Sequence, residues 1–210
     1  MLRLQNERKA IEILSKTDLV SSLLYTGNYK STPFIILKNI VGSIGELEGQ
    51  DYLTLIPAFY KEKSYELRVH PRVISLHKKL QEANLLGLAG SLSKLTETST
   101  LKYKEVYEHG DFAPWNIIQT SEGLVPFDFE YSEEVGLEYL DELKYHFQIE
   151  HLLNAKNGNT LIESIAAKVN IPDFKTLIQI FLIKEILMKN KVNESVDFEN
   201  SLLHIIANKS

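Results

Sequence analysis

The chain has 210 residues, 44% hydrophobic and 24% charged, enough apolar material for one substantial core or two small lobes and too much for a disordered chain. A net charge of −5, with neither sign gathered into a run, speaks against a nucleic-acid partner, and the lack of cysteine excludes thiol catalysis, disulfides and Cys-ligated zinc. The opening MLRLQNERKAIEIL is charged and amphipathic rather than a signal peptide, and no apolar run reaches bilayer length, so a soluble cytoplasmic protein without a membrane partner is expected.

Leu4, Ala10, Ile11 and Leu14 predict an amphipathic helix over residues 2–15. Strands are predicted at about 20–26 and 34–38, separated by Gly27-Asn28-Tyr29-Lys30-Ser31-Thr32-Pro33, a segment rich in turn formers. Residues 41–50, with three glycines, read as a boundary, so that 1–40 would form a small unit and 41–210 a large helical one. Beyond the boundary, 52–60 and 71–86 are helical in pattern, the second with Pro71 in its first turn; 87–99 read as a small, polar surface connection. After the central stretch, 138–153, 160–169, 174–190 and 198–207 read as helices, and FKTLIQIFLIKEIL is apolar around most of its circumference and therefore central.

The centre is YEHGDFAPWNIIQTSEGLVPFDFEY, residues 107–131. Ile117–Thr120 and residues 124–129 are strand-like runs joined by Ser121-Glu122-Gly123, which predicts a β-hairpin pairing Thr120 with Leu124. Counting outward by twos, Ile118 then faces Pro126 and Asn116 faces Asp128, roughly 5 Å apart on one face. Asp111, across a loop stiffened by Pro114, can fold back over the same end. Two carboxylates and an amide oxygen suit Mg²⁺, and the set serves phosphoryl transfer, one Asp receiving a hydroxyl proton while Asn and Asp hold metal on a nucleoside triphosphate.

His109-Gly110-Asp111 with Asn116, followed by Asp128-Phe129-Glu130, resembles the H-G-D-x-x-x-x-N and D-x-E/D pair of the aminoglycoside phosphotransferase and choline kinase group within the protein-kinase-like fold. The resemblance covers residues 2 to about 153 and implies an α+β fold: a mostly helical large lobe with a catalytic β-hairpin and a truncated small lobe. It implies ATP and Mg²⁺ as cofactors, Asp111 as catalytic base, Asn116 and Asp128 as metal ligands, and His109 as a brace for the catalytic loop. It also places Glu7 where a helix glutamate pairs with a strand lysine, Leu37, Lys38, Asn39 and Ile40 at the hinge beneath adenine, and Asp141 where an acidic residue ties a helix back to the loop. Read by themselves, Glu7 is a solvated carboxylate between Arg3 and Arg8, Asp141 complements a helix dipole, and His77 in SLHKKL packs or caps.

Enzymes of this group carry several strands before the first helix, with a loop over the phosphates and a lysine for the α- and β-phosphates; here Met1 stands six residues before Glu7. Three explanations stay open: a longer native chain or partner completing the small lobe, a reduced enzyme recruiting another cation such as Lys38 or Arg3, and a kinase-like protein that binds without turnover. The acceptor is expected to be a small molecule. Trp115 and Tyr131 are the aromatics near the base, too few for a choline cage, while Glu130 and the rim carboxylates Glu133, Glu134 and Glu138 favour a sugar, amino sugar or aminoglycoside-like hydroxyl. Glu133 and Glu134 read by themselves are a solvated loop. The alternatives are a choline or ethanolamine-type kinase, a regulatory binding protein, and an interaction domain.

Overall fold

The computed structural model describes residues 2–15, 20–44 and 51–208; part of the 41–50 boundary therefore lies outside the described residues, as does the Arg3 side chain. Helix α1, Leu2–Leu14, buries Ala10, Ile11 and Leu14 and keeps Arg8 and Glu12 outside as an i,i+4 pair at 2.7 Å. Glu7 precedes Ile11 by one turn and so lies on the inward stripe. Strands β1, Leu23–Tyr29, and β2, Thr32–Leu37, pair down to Tyr29 opposite Thr32. The seven-residue loop expected at 27–33 is thus a two-residue turn: Lys30 and Ser31 both adopt positive φ, 47° and 69°, the geometry that matches strand twist and lets pairing run to the tip.

The predicted helix at 52–60 is absent. Two 3₁₀ turns, Asp51–Thr54 and Ile56–Phe59, the latter opened by Pro57, lead into strand β4, Tyr60–Glu66. This strand, YKEKSYE, has no alternating pattern because it is a polar edge strand held by its ladder to β5, Lys102–Glu108, whose other side carries β8, Glu133–Leu137. A second sheet joins β3, Ser43–Ile44, to the hairpin strands β6, Ile117–Thr120, and β7, Gly123–Pro126.

Helix α2, Pro71–Glu82, starts with His70 accepting the Arg72 N–H and ends four residues short of prediction, where Asn84 turns left-handed. The expected connection at 87–99 is helix α3, Leu86–Thr98, burying Ala89, Leu92 and Thr96 at helical spacing. Its glycines and serines weaken helix propensity, and burial against α2 and α6 outweighs that. Helix α4, Leu140–Gln148, gives way to a π-helical turn, Ile149–Leu153, that directs Glu150 inward to Lys156, Ser164 and Lys168. Helices α5, Gly158–Lys168, α6, Phe174–Lys191, and α7, Asp197–Asn208, complete the chain.

Two apolar cores result. One lies among α2 to α7, with the fully buried Leu177, Ile180, Phe181 and Leu182 at its centre, as the all-round apolar pattern of α6 predicts. The other joins Ala10, Ile11 and Leu14 of α1 to Tyr52, Phe59, Phe112, Ile117, Phe129 and Tyr145, directly beneath the central stretch. The loop carrying the predicted site residues therefore rests on aromatic rings rather than on water.

Candidate active site

The loop after β5 is fixed from below. Both oxygens of Asp141, in the first turn of α4, accept backbone N–H groups, from His109 at 2.7 Å and Gly110 at 2.9 Å. Gly110 has φ +86°, and a Cβ there would lie 2.2 Å from the Tyr131 carbonyl oxygen, so only glycine fits. His109 is fully buried; its Nε2 bonds to the Phe127 carbonyl at 2.9 Å and its ring lies 4.4 Å from that of Phe129. Burial pushes its pKa down to about 4. The sealed imidazole thus joins the loop to the hairpin through Phe127 and Phe129.

Beneath this loop runs a chain of alternating buried charges. Arg72 grips Glu108 through two nitrogens at 2.9 and 3.0 Å, Lys184 reaches Glu108 at 3.0 Å and Glu185 at 3.5 Å, and Lys144 reaches Glu185 at 2.7 Å. Burial alone would raise the Glu108 pKa, but Arg72 and Lys184 overcome it and hold it near about 2. Asp141 is pushed up to about 6 by burial first and by Glu108 second.

Asp111 ends the chain. Its Oδ1 takes a hydrogen bond from Gln148 Nε2 at 3.2 Å and faces Lys144 Nζ at 3.4 Å; its Oδ2 takes one from Asn116 Nδ2 at 3.1 Å. Lys144, Gln148 and Glu185 were missed by sequence reasoning. A signal existed: Asp141, Lys144 and Gln148 fall at i, i+3 and i+7 on α4, one stripe, and Lys184-Glu185 are adjacent charges inside an otherwise apolar helix.

The hairpin register differs from prediction by one residue. Thr120 pairs with Gly123 and Ile117 with Pro126, and the Phe127 N–H donates to the Asn116 carbonyl, so Asn116 faces Phe127 rather than Asp128. The turn is two residues, Ser121-Glu122, because the Thr120 hydroxyl closes it by donating to the Gly123 carbonyl and accepting the Glu122 N–H. Asp128, one position further on, is left-handed at φ 63°, a conformation Asp tolerates better than most residues.

Eight of the predicted residues line one of two clefts, whereas Asn116 and His109 line neither. Glu7, Leu37, Lys38, Asn39, Ile40 and Asp128 line one of about 300 Å³, walled by Ile11, Val20, Ile118 and Phe127. The Lys38 backbone is already engaged there, its N–H with Ser22 and its carbonyl with the Ser21 hydroxyl. Burial, then Asp128 and Glu130, raise the Glu7 pKa. Asp111 and Tyr131 line the second cleft, about 180 Å³, with Lys144, Glu185, Lys189 and Glu194. Trp115 and Glu130 line neither cleft; Trp115 is half-buried and the Glu130 carbonyl accepts Asn6 Nδ2. The acidic rim is also revised. Glu133 and Glu134 lie in β8, paired with Lys79 and Lys9, and Glu138 is buried with Oε2 on the Lys104 N–H. His77 faces a groove between α2 and α3, away from both clefts.

Among the described residues no three His, Cys, Asp or Glu side chains converge as a metal cage. The candidate donors are oxygens: the Asn116 nitrogen is committed to Asp111, leaving its amide oxygen, and the Asp128 carboxylate belongs to the lining of the first cleft. That set fits Mg²⁺, which is usually held by one or two protein oxygens with phosphates and waters completing the shell. Among the described residues no helix is long and apolar enough to cross a membrane.

A helix and small sheet above a helical lobe, joined over the H-G-D loop and its hairpin, define the protein-kinase-like fold. Among solved structures, the chain is similar to choline kinase from Cryptosporidium parvum Iowa II, with a TM-score of 0.55 and 12% identity over 98% of this chain and 77% of that one. It is also similar to choline kinase LicA from Streptococcus pneumoniae, with a TM-score of 0.54 and 15% identity over 97% and 78%. No family model and no curated protein matches by sequence.

Proposed function

We propose that this chain is an ATP-dependent phosphotransferase acting on a hydroxyl of a small molecule. The observation that carries the reading is the placement of Asp111: a carboxylate oriented by Asn116 and Gln148, opening on one cleft, while Asp128 and residues 37–40 line another. In this reading Asp111 orients the acceptor hydroxyl and takes its proton. Leu37, Ile40 and Ile11 flank the base of the nucleotide. Asn116 and Asp128 hold Mg²⁺, which when bound neutralises phosphate charge. The protein-kinase-like fold of the chain, shared with the two choline kinases, supports the class of reaction but not the acceptor.

For the acceptor we favour a sugar, amino sugar or aminoglycoside-like hydroxyl over choline. A quaternary ammonium needs several aromatic faces, and among the described residues Tyr131 is the single aromatic side chain lining the Asp111 cleft; Tyr145, buried against Tyr52 at 3.7 Å, is spent on packing. Glu185, Lys189 and Glu194 instead offer polar contacts to hydroxyl and amino groups. The second reading, a kinase-like protein that binds nucleotide without turnover, rests on Glu7, which has no basic partner among the described residues.

MgATP should raise the melting temperature by binding the native state, and one of a panel of sugars, amino sugars and aminoglycosides should yield ADP. Asp111→Asn should abolish that turnover and keep the thermal shift. A shift without turnover on any acceptor supports the binding reading; no shift at millimolar MgATP refutes both; faster turnover with choline refutes the acceptor assignment.

A further inference from the structure

Lys144 occupies a position that the catalytic-loop residues alone do not explain. Its side chain is 10% exposed and lines the Asp111 cleft, with Nζ hydrogen-bonded to Glu185 Oε2 at 2.7 Å and standing 3.4 Å from Asp111 Oδ1. An ammonium has three N–H donors. The bond to Glu185 uses one, and the contact with Asp111 is too long to be a strong second. Lys184 also lies 3.5 Å from the other carboxylate oxygen of Glu185, although it is held more closely by Glu108 at 3.0 Å.

Phosphoryl transfer needs positive charge at the atoms where charge develops, on the equatorial phosphoryl oxygens beside the acceptor hydroxyl. The hydroxyl is held by Asp111, so the transferring group must come to the same place. Of the lysines lining the Asp111 cleft, Lys189 is tied to the buried carboxylate of Glu199 at 2.7 Å. Lys144 faces the base.

We propose, building on the phosphotransferase reading, that Lys144 is a catalytic residue that donates to the transferring phosphoryl group, and that Glu185 holds it back from closing on Asp111 and quenching the base. In the step it serves, the acceptor oxygen bonds to the γ-phosphorus, the proton of that hydroxyl passes to Asp111, and the bond from γ-phosphorus to the bridging oxygen breaks. Its electron pair leaves with the nucleoside diphosphate. Lys144 meets the oxygens that gain charge in between and neither gains nor loses a proton.

The test separates this from a structural role by measuring binding of a transition-state mimic. Titration calorimetry of Mg·ADP with and without aluminium fluoride gives, for the wild type, the extra affinity due to a planar phosphoryl mimic. Lys144→Met should lose most of that increment, roughly 10²- to 10³-fold, with Mg·ADP affinity unchanged, and Lys144→Arg should recover part of it. Should Lys144→Met not fold, the double variant Lys144→Met/Glu185→Gln, which removes both charges of the pair, carries the same measurement. An unchanged increment, or an equal loss for Mg·ADP alone, overturns the proposal while leaving the phosphotransferase reading standing on Asp111-dependent turnover. A wild type that does not bind Mg·ADP overturns both.

Discussion

Replacing Glu108 by Gln tests whether the loop stands on its buried charges. Glu108 is fully buried, accepts two hydrogen bonds from Arg72 at 2.9 and 3.0 Å, and meets Lys184 Nζ at 3.0 Å. Gln keeps the shape but leaves two buried cations facing a neutral amide, and removing one partner of such a pair typically costs about 3–5 kcal/mol. The pKa gives a second figure: a carboxyl held near about 2 instead of 4.5 corresponds to about 3 kcal/mol of folding free energy at neutral pH. Since the folded-state value is depressed, this stability is fully present above pH 4.5 and is lost as pH falls towards 2. Urea unfolding at pH 7 should therefore show a loss of about 3–4 kcal/mol, and the gap between wild type and variant should narrow at pH 3. A loss below about 1 kcal/mol at pH 7 would show that water or rearrangement screens the site, and the reasoning would fail. The double variant Glu108→Leu/Arg72→Met should lose less than Glu108→Gln, because it leaves one buried cation, Lys184, without Glu108 rather than two.

Gly110→Ala forces a Cβ to 2.2 Å from the Tyr131 carbonyl at a left-handed φ; purified variant should retain helical circular dichroism yet melt at least several degrees lower, and a wild-type melting temperature would refute the packing argument. Acid should weaken the fold in a separate window. His109 and His146, each lowered by burial to about 4, bind protons more readily when unfolded, so stability present above pH 6.5 falls as pH drops towards 4, by at most roughly 3 kcal/mol per histidine. Asp141, raised to about 6, acts with the opposite sign between pH 6 and 3.8 and offsets about one of the two. Chemical denaturation at pH 7, 5.5 and 4.5 reads the net slope, and a flat profile would count against the buried neutral imidazoles.

Local spacing carried much of this architecture. The H-G-D loop, the hairpin behind it, the inward stripe of α1 and the all-round apolar α6 are each specified by neighbours within a few residues, where side-chain period and turn chemistry act directly. Spacing did not group Glu7 with residues 37–40; only the family resemblance made them nucleotide-side candidates, and the structure gathers them with Asp128 around one cleft. Whatever depends on a distant partner was illegible. β4 is a strand because β5, some forty residues later, offers it a ladder, and α3 is a helix because α2 and α6 bury its leucine stripe against its weak propensity. The one-residue register error came from the Thr120 hydroxyl, which selected a shorter turn. Lys144 and Gln148 reach Asp111, and Glu185 reaches Lys144, only because α4 and α6 pack beneath the loop. A helical stripe in the sequence names the residues that share a face; which carboxylate that face meets is settled when the helices dock, because a charge can be buried there only where the opposite charge arrives with it.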